Sequence, residues 1–333
     1  MPGEKLPRAA PVTLLLAPLA LTACGSKQNA LDPHSRAARG IASLWWNMLI
    51  GASLALSIVA LVLLLAWVRR RRPGIPRVRD GDRAAWSVVI GLGLVVPILV
   101  LSALFLFSNI FLLRDTTLPA SAAGTRTALT VRVIGHQFWW EVRYPGTRAV
   151  TANEIHIPAR ANVEVLLYTR DVIHSFWIPQ LNKKVDMLPE QTNRLLLYAD
   201  GPGRYRGQCA EFCGLQHAHM GLYVYADPPA VFRRWLAHES KPAPSSGGAR
   251  LFDSKCGSCH AIRGTAATSN VGPDLTHVAS RASLAALTIP NTRERIREWI
   301  HDPQRVKPGN SMPAVALTDA ELEQLVGYLE SRR

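Results

Sequence analysis

The chain has 333 residues, 48% of them hydrophobic and 19% charged, with five cysteines and a formal net charge of +14. That length allows two or three domains. The composition excludes a disordered chain, and the odd cysteine count excludes a framework built of disulfides alone. The 38 Lys and Arg against 24 Asp and Glu fit nucleic acid, a membrane surface or an acidic partner until the charges are located along the chain.

Residues 1–24 read as a secretory signal. Lys5 and Arg8 precede a short apolar run from Val12 to Leu21. The run ends in Leu21-Thr22-Ala23-Cys24, which resembles a bacterial lipobox, so Cys24 is the expected lipidation site, with an ordinary signal peptide as the alternative. Two longer apolar runs follow, at about 44–68 and 86–113, and neither contains a charged residue. At about 1.5 Å per residue each exceeds the hydrocarbon core of a bilayer, so 41–113 is expected to be a transmembrane helix hairpin. Trp45, Trp46, Trp67 and Trp86 lie at the run ends, as interfacial aromatics do. The connecting loop carries seven arginines (69–72, 77, 79 and 83) against Asp80 and Asp82, so it is expected on the cytoplasmic side and everything after Arg114 outside. Much of the basic excess therefore sets topology, and no nucleic acid partner is expected.

From Thr127 the apolar period becomes two. Leu129, Val131 and Val133 alternate with polar residues, and Ile155/Ile157, Val163/Val165 and Leu195/Leu197 repeat the pattern. Short strands between Pro, Gly and Asn turns predict an all-β sandwich or barrel over 126–236. Near its end, Cys209, Cys213, His217 and Met220 share one loop, and His174 lies 35 residues upstream of Cys209. Thiolates, imidazole and thioether together favour copper. Zinc and a Cys209–Cys213 disulfide are the competing readings.

Residues 237–249, rich in Pro, Ser and Gly, read as a flexible linker. In 250–333, Cys256-Gly257-Ser258-Cys259-His260 is a Cys-x-x-Cys-His. It predicts covalent haem c on Cys256 and Cys259, with His260 on the iron. Gly272-Pro273-Asp274-Leu275 resembles the loop that braces the proximal histidine in class I cytochromes c. Met312 is the expected sixth ligand, against His277 or His301. Thr318 and Glu321 form a capping-box start for a final amphipathic helix.

The string from Cys209 to Met220, with His174, resembles the copper A centre of cytochrome c oxidase subunit II. The resemblance implies a dinuclear copper cofactor in a cupredoxin domain behind a two-helix hairpin. By that resemblance Cys209 and Cys213 bridge both coppers, His174 and His217 each bind one, and Met220 and the Glu211 carbonyl are weak axial ligands. His219 matches no ligand position. The Glu211 side chain matches a ligand of a magnesium or manganese ion, and Asp171 and Asp186 match positions facing subunit I. Phe138, Trp139 and Trp140 match an aromatic stretch through which electrons enter. Phe138 stands where many members have Trp, which suits an intramolecular route. Arg83, beside Asp82, stands where the family often has a proton-entrance glutamate.

The architecture expected is thus a multidomain membrane protein: a transmembrane hairpin, an all-β cupredoxin domain and a C-terminal all-α class I cytochrome c domain. Its expected role is to pass electrons from haem c to copper A and on to a haem of subunit I, where oxygen is reduced. The expected location is the bacterial inner membrane, with both metal domains extracytoplasmic. Expected partners are subunits I and III, membrane lipid, and a donor such as a cytochrome c or a quinol-cytochrome c reductase. A feeder for a nitric oxide or nitrous oxide reductase and a copper-storage lipoprotein are the rival functions.

Overall fold

A computed structural model describes residues 28–70, 83–108, 110, 127–243 and 247–333. The expected lipidation site Cys24, arginines 71–79, Asp80 and Asp82 lie outside the described residues.

The first apolar run is a helix, Arg36–Arg70, that starts ahead of the expected span. Its first turns are not membrane material. Ser35 Oγ accepts from the Ala38 N–H at 3.0 Å and donates to the Leu181 carbonyl, and Ala37, Ala38 and Ala42 are buried. The helix is therefore nailed to the β domain before it becomes wholly apolar. The second run is helical from Arg83 to Phe107, interrupted by a π turn at Gly91–Val95. Pro97 lacks the N–H that would bond to the carbonyl four residues back, and widening the ladder there is the usual accommodation. From Trp86 on, this helix is exposed and strongly apolar, as is the first.

The β domain has ten strands: β1 Leu129–His136, β2 Trp139–Arg143, β3 Val150–Ala152, β4 Glu154–Pro158, β5 Val163–Thr169, β6 His174–Trp177, β7 Val185–Met187, β8 Asn193–Leu197, β9 Gly203–Cys209 and β10 Gly221–Asp227. They form two five-stranded sheets, ordered β3-β2-β1-β5-β8 and β4-β10-β9-β6-β7. The alternation read from the sequence is the inward face: Val131, Val133, Ile155, Ile157, Val163, Val165, Leu195 and Leu197 are buried together between the sheets. Burying each such side chain contributes about 1.5–3 kcal/mol. Trp140 fills the centre, fully buried, with its indole N–H on the Met220 carbonyl at 3.2 Å. The register pairs Phe176 with Cys209, which brings the start of β6 beside the end of β9.

Helix Pro229–Glu239 closes the sandwich and runs into the segment expected as linker. The linker is held beyond it as well: the Lys241 carbonyl meets a ring nitrogen of His277 at 2.9 Å. The C-terminal domain packs helices Ala249–Lys255, Arg293–His301 and Asp319–Glu330 around Phe252, Ile296, Leu325 and Val326. The capping box of Thr318 and Glu321 forms as expected. The domain is not purely helical. A two-stranded hairpin, β11 Ser283–Leu284 and β12 Ile289–Pro290, projects a turn against the β domain. There the Gly221 N–H donates to the Ala286 carbonyl at 3.2 Å, and the Glu154 carboxylate accepts from the Ala282 N–H at 2.7 Å.

Candidate functional site

Two donor-rich places are adjacent. In the first, the ends of β6 and β9 and the loop to β10 gather sulfur and nitrogen. Cys209 Sγ lies 3.8 Å from Cys213 Sγ and 3.7 Å from His174 Nδ1. Cys213 Sγ lies 3.8 Å from both His217 Nδ1 and Met220 Sδ. The Glu211 carbonyl is 3.2 Å from Cys209 Sγ. All six donors expected from the sequence are therefore together, and each sulfur has its own imidazole. Both cysteines are free and buried, so the disulfide reading does not hold in this structure. Gly214, directly after Cys213, lets the sulfur loop turn tightly against Gln137 and Phe138. Its φ is +125°, and a Cβ there would come within 3.0 Å of Gln137 Nε2 and 3.1 Å of Phe138.

The electrostatics favour a thiolate. The Cys209 thiol is held well below its ordinary range, first by the proton that Cys213 offers it and then by His174, against the opposing effect of burial. Cys213 is correspondingly pushed up by the thiolate beside it and by burial. Burial alone would lower the His174 pKa, but the bonds to Asp171 and Cys209 outweigh it and raise it. Asp171 is drawn into the site: its carboxylate bonds His174 Nε2 at 2.8 Å and accepts from the Gln137 N–H at 2.7 Å. Gln137 Nε2 in turn donates to the Cys213 carbonyl at 2.5 Å. Gln137 thus ties the aromatic stretch to the sulfur loop, a link the sequence does not signal.

Asp186 and the Glu211 side chain lie apart from this, on the surface. Lys184 Nζ stands 3.6 Å from Asp186 and 3.4 Å from Glu211. His219 is exposed, with Nδ1 2.7 Å from Gln216 Oε1. The aromatic trio divides. Trp140 is wholly core, whereas Phe138, at the edge of the same core, and Trp139 face the second place, a large apolar cavity in the C-terminal domain.

Cys256, Cys259, His260 and Met312 all line that cavity. His260 Nδ1 bonds the Pro273 carbonyl at 2.8 Å, which fixes the tautomer and leaves Nε2 to face inward. Burial lowers the His260 pKa, so the ring is a neutral donor. A Cβ at Gly272 would stand 2.6 Å from the ring, so only glycine lets the bracing loop close over it. Arg281 Nε and Ser283 Oγ, both at the cavity, are buried without a hydrogen-bond partner, as groups awaiting an acidic ligand would be. The donors, the apolar walls and these orphaned polar atoms fit a haem. His277 and His301 do not line the cavity, and both ring nitrogens of His277 already meet carbonyls, of Arg333 and Lys241. That occupancy also argues against a metal at the nearby His238, Glu239 and His277.

Comparison with known proteins agrees with this layout. Residues 147–226 match the family described as cytochrome c oxidase subunit II, periplasmic domain, and 245–333 match cytochrome c. The chain is 32% identical over 330 residues to cytochrome c oxidase subunit 2 of Alkalihalophilus pseudofirmus, covering 94% of both chains. It is 30% identical over 353 residues to that of Bacillus subtilis, covering 95% of both. The crystal structure of the periplasmic domain of subunit II of the cytochrome oxidase of Bradyrhizobium japonicum aligns with 34% of this chain and 94% of its own, at 26% identity and a TM-score of 0.33. The chain belongs to the cytochrome c oxidase subunit II family, in the form that carries a C-terminal cytochrome c domain.

Proposed function

We propose that this chain is the electron-input subunit of a proton-translocating haem-copper oxidase, taking electrons at haem c and delivering them through a dinuclear copper A centre to the haem of subunit I. One observation carries the reading. The cavity of the Cys-x-x-Cys-His motif opens directly on Phe138 and Trp139, and the neighbouring Gln137 is bonded to the backbone of Cys213. Residues 137–139 therefore touch both donor sets.

In this reading Cys209, Cys213, His174 and His217, with Met220 and the Glu211 carbonyl, would hold the copper pair. Six donors in this order exceed the four of tetrahedral zinc, and a thioether among them suits copper. Cys256 and Cys259 would hold the haem, and His260 and Met312 would be available to its iron. When bound, the haem and the copper pair supply the one-electron carriers, and the His/Met pair gives the haem a high potential. The residues of the chain supply the rest. Asp171 orients His174, and buried Trp140 and Phe176 make the wall behind it rigid. Rigidity keeps the donor geometry nearly constant between oxidation states, so little reorganisation opposes transfer.

The surface carboxylates Asp186 and Glu211 mark the face toward subunit I, with Glu211 able to ligate magnesium or manganese there. The hairpin sits in the inner membrane with its arginine loop inside and both metal domains outside, beside subunits I and III. The external donor, a cytochrome c or a quinol-cytochrome c reductase, would then be received by the C-terminal domain rather than by the β domain. The test is to delete the chain after Ser240 and assay oxidation of soluble cytochrome c by the assembled oxidase. Loss of turnover is expected, and unchanged turnover would rule out an obligatory haem relay.

A further inference from the structure

The contact between the two metal domains converges on one buried lysine. Lys307 belongs to the C-terminal domain, between the short helix Pro303–Val306 and the Met312 turn, and is 2% exposed. Its Nζ donates at 2.9 Å to the Ala285 carbonyl of its own domain. It also crosses to the β domain, donating to the Phe138 carbonyl at 2.9 Å and the His219 carbonyl at 2.8 Å. An ammonium has three donors and no acceptor, and here all three are used. Phe138 walls the haem cavity, and His219 immediately precedes Met220 on the sulfur loop. One nitrogen therefore grips both ends of the gap between the two donor sets.

The backbone that offers the Ala285 carbonyl is itself strained. Ala285, Ala286 and Leu287 have φ of 51°, 57° and 66°, three successive non-glycine residues in the left-handed region. Each such residue is costly, and persists only where its surroundings hold it. The surroundings here come from both domains: the Gly221 N–H of the β domain, just past the sulfur loop, takes the carbonyl of Ala286, and Lys307, itself bonded to two β-domain carbonyls, takes that of Ala285. The turn is shaped for the docked state.

We propose that Lys307 is the positioning residue for electron transfer between the domains, its ammonium pinning Phe138 and the sulfur loop to the haem cavity so that the gap electrons cross is fixed. This rests on the reading that the cavity holds haem and the loop holds copper. Tunnelling falls steeply with separation, so a loosened dock slows transfer without altering either centre.

The test uses the full-length assembled oxidase with K307M and K307R. Amide hydrogen exchange is followed in segments 136–140, 216–222 and 284–288, together with the haem potential and the rate at which rapidly reduced haem passes its electron to copper. K307M is expected to raise exchange in all three segments and to slow transfer by about tenfold or more, with the haem potential unchanged. K307R keeps the charge but cannot aim one nitrogen at three carbonyls, so it should slow transfer as well, by less. Unchanged exchange in either variant, or raised exchange with transfer at the wild-type rate, would overturn the proposal. K307R alone decides the matter if K307M does not fold. Wild-type protein that holds both cofactors and passes no electron between them would instead remove the underlying reading, and raised exchange in K307M would then mark the lysine as a structural clasp only.

Discussion

Asp171 and His174 form one unit: a carboxylate oxygen lies 2.8 Å from Nε2 of the ring, whose other nitrogen faces Cys209 Sγ at 3.7 Å. The same carboxylate accepts the Gln137 N–H. Charge on Asp171 therefore strengthens His174 as a donor and fixes its orientation. Partners of this kind commonly contribute 10–100-fold in metal affinity, so Asp171→Asn should lose copper to a competing chelator roughly 10–100 times more readily. Unaltered retention would show that the ring needs no carboxylate. Family resemblance places Asp171 among the residues expected to face subunit I. Its position against His174 gives it a task within the chain whether or not a partner subunit is present.

The haem end can be tested separately. Met312 lines the cavity on the side of the Pro308–Pro313 turn, and its backbone is held there by Asn310 and Gln304. Met312→Ala removes the thioether without disturbing those backbone bonds. Redox titration should show a fall in haem potential, because Met/His ligation is what raises it. The copper signal should be untouched. A haem potential equal to wild type would assign the sixth position to another group.

Glu239 gives a pH signature to the junction between the domains. It is buried at the end of helix Pro229–Glu239, and burial pushes its carboxyl up to about 7, although Arg281 and Arg263 pull the other way. Asp274 adds to the rise, and His156 opposes it. The folded state thus keeps a proton that the unfolded chain releases near the ordinary carboxylate pKa. The stability this confers is complete below about pH 4.5 and is lost as pH rises toward 7, by roughly 3 kcal/mol in all. Thermal unfolding of Glu239→Gln should therefore gain on wild type as pH is raised from about 5 to about 8. A constant difference between the two curves would place the titration elsewhere.

What the sequence makes legible here depends on distance along the chain. Cys209, Cys213, His217 and Met220 lie within one loop, so their spacing alone speaks of a metal, and the haem motif is equally local. The alternating residues of β1, β4, β5 and β8 report the sandwich because one face of each is buried. His174 is joined to the cysteines only by the pairing of β6 with β9, and that relation comes from family resemblance rather than from spacing. Lys307 is invisible at this level, since a lysine between Val306 and Pro308 reads as a solvated loop charge. The turn at Ala285–Leu287 gives no signal either. It contains no Gly, Asn or Asp, the residues that normally announce left-handed backbone. Both owe their form to the opposite domain. The linker likewise reads as flexible from its Pro, Ser and Gly, while His277 holds its first residues in place.

Cys209 and Cys213 are proposed to hold a pair of copper ions that share one unpaired electron. Copper analysis with paramagnetic resonance of the full-length oxidised chain, compared with Cys213→Ser, measures it most directly. A mixed-valence pair is expected in the wild type, with hyperfine structure from two equivalent copper nuclei, and its disappearance in the variant while the haem spectrum persists. Zinc at the site, or a single copper with an electron localised on it, would contradict it.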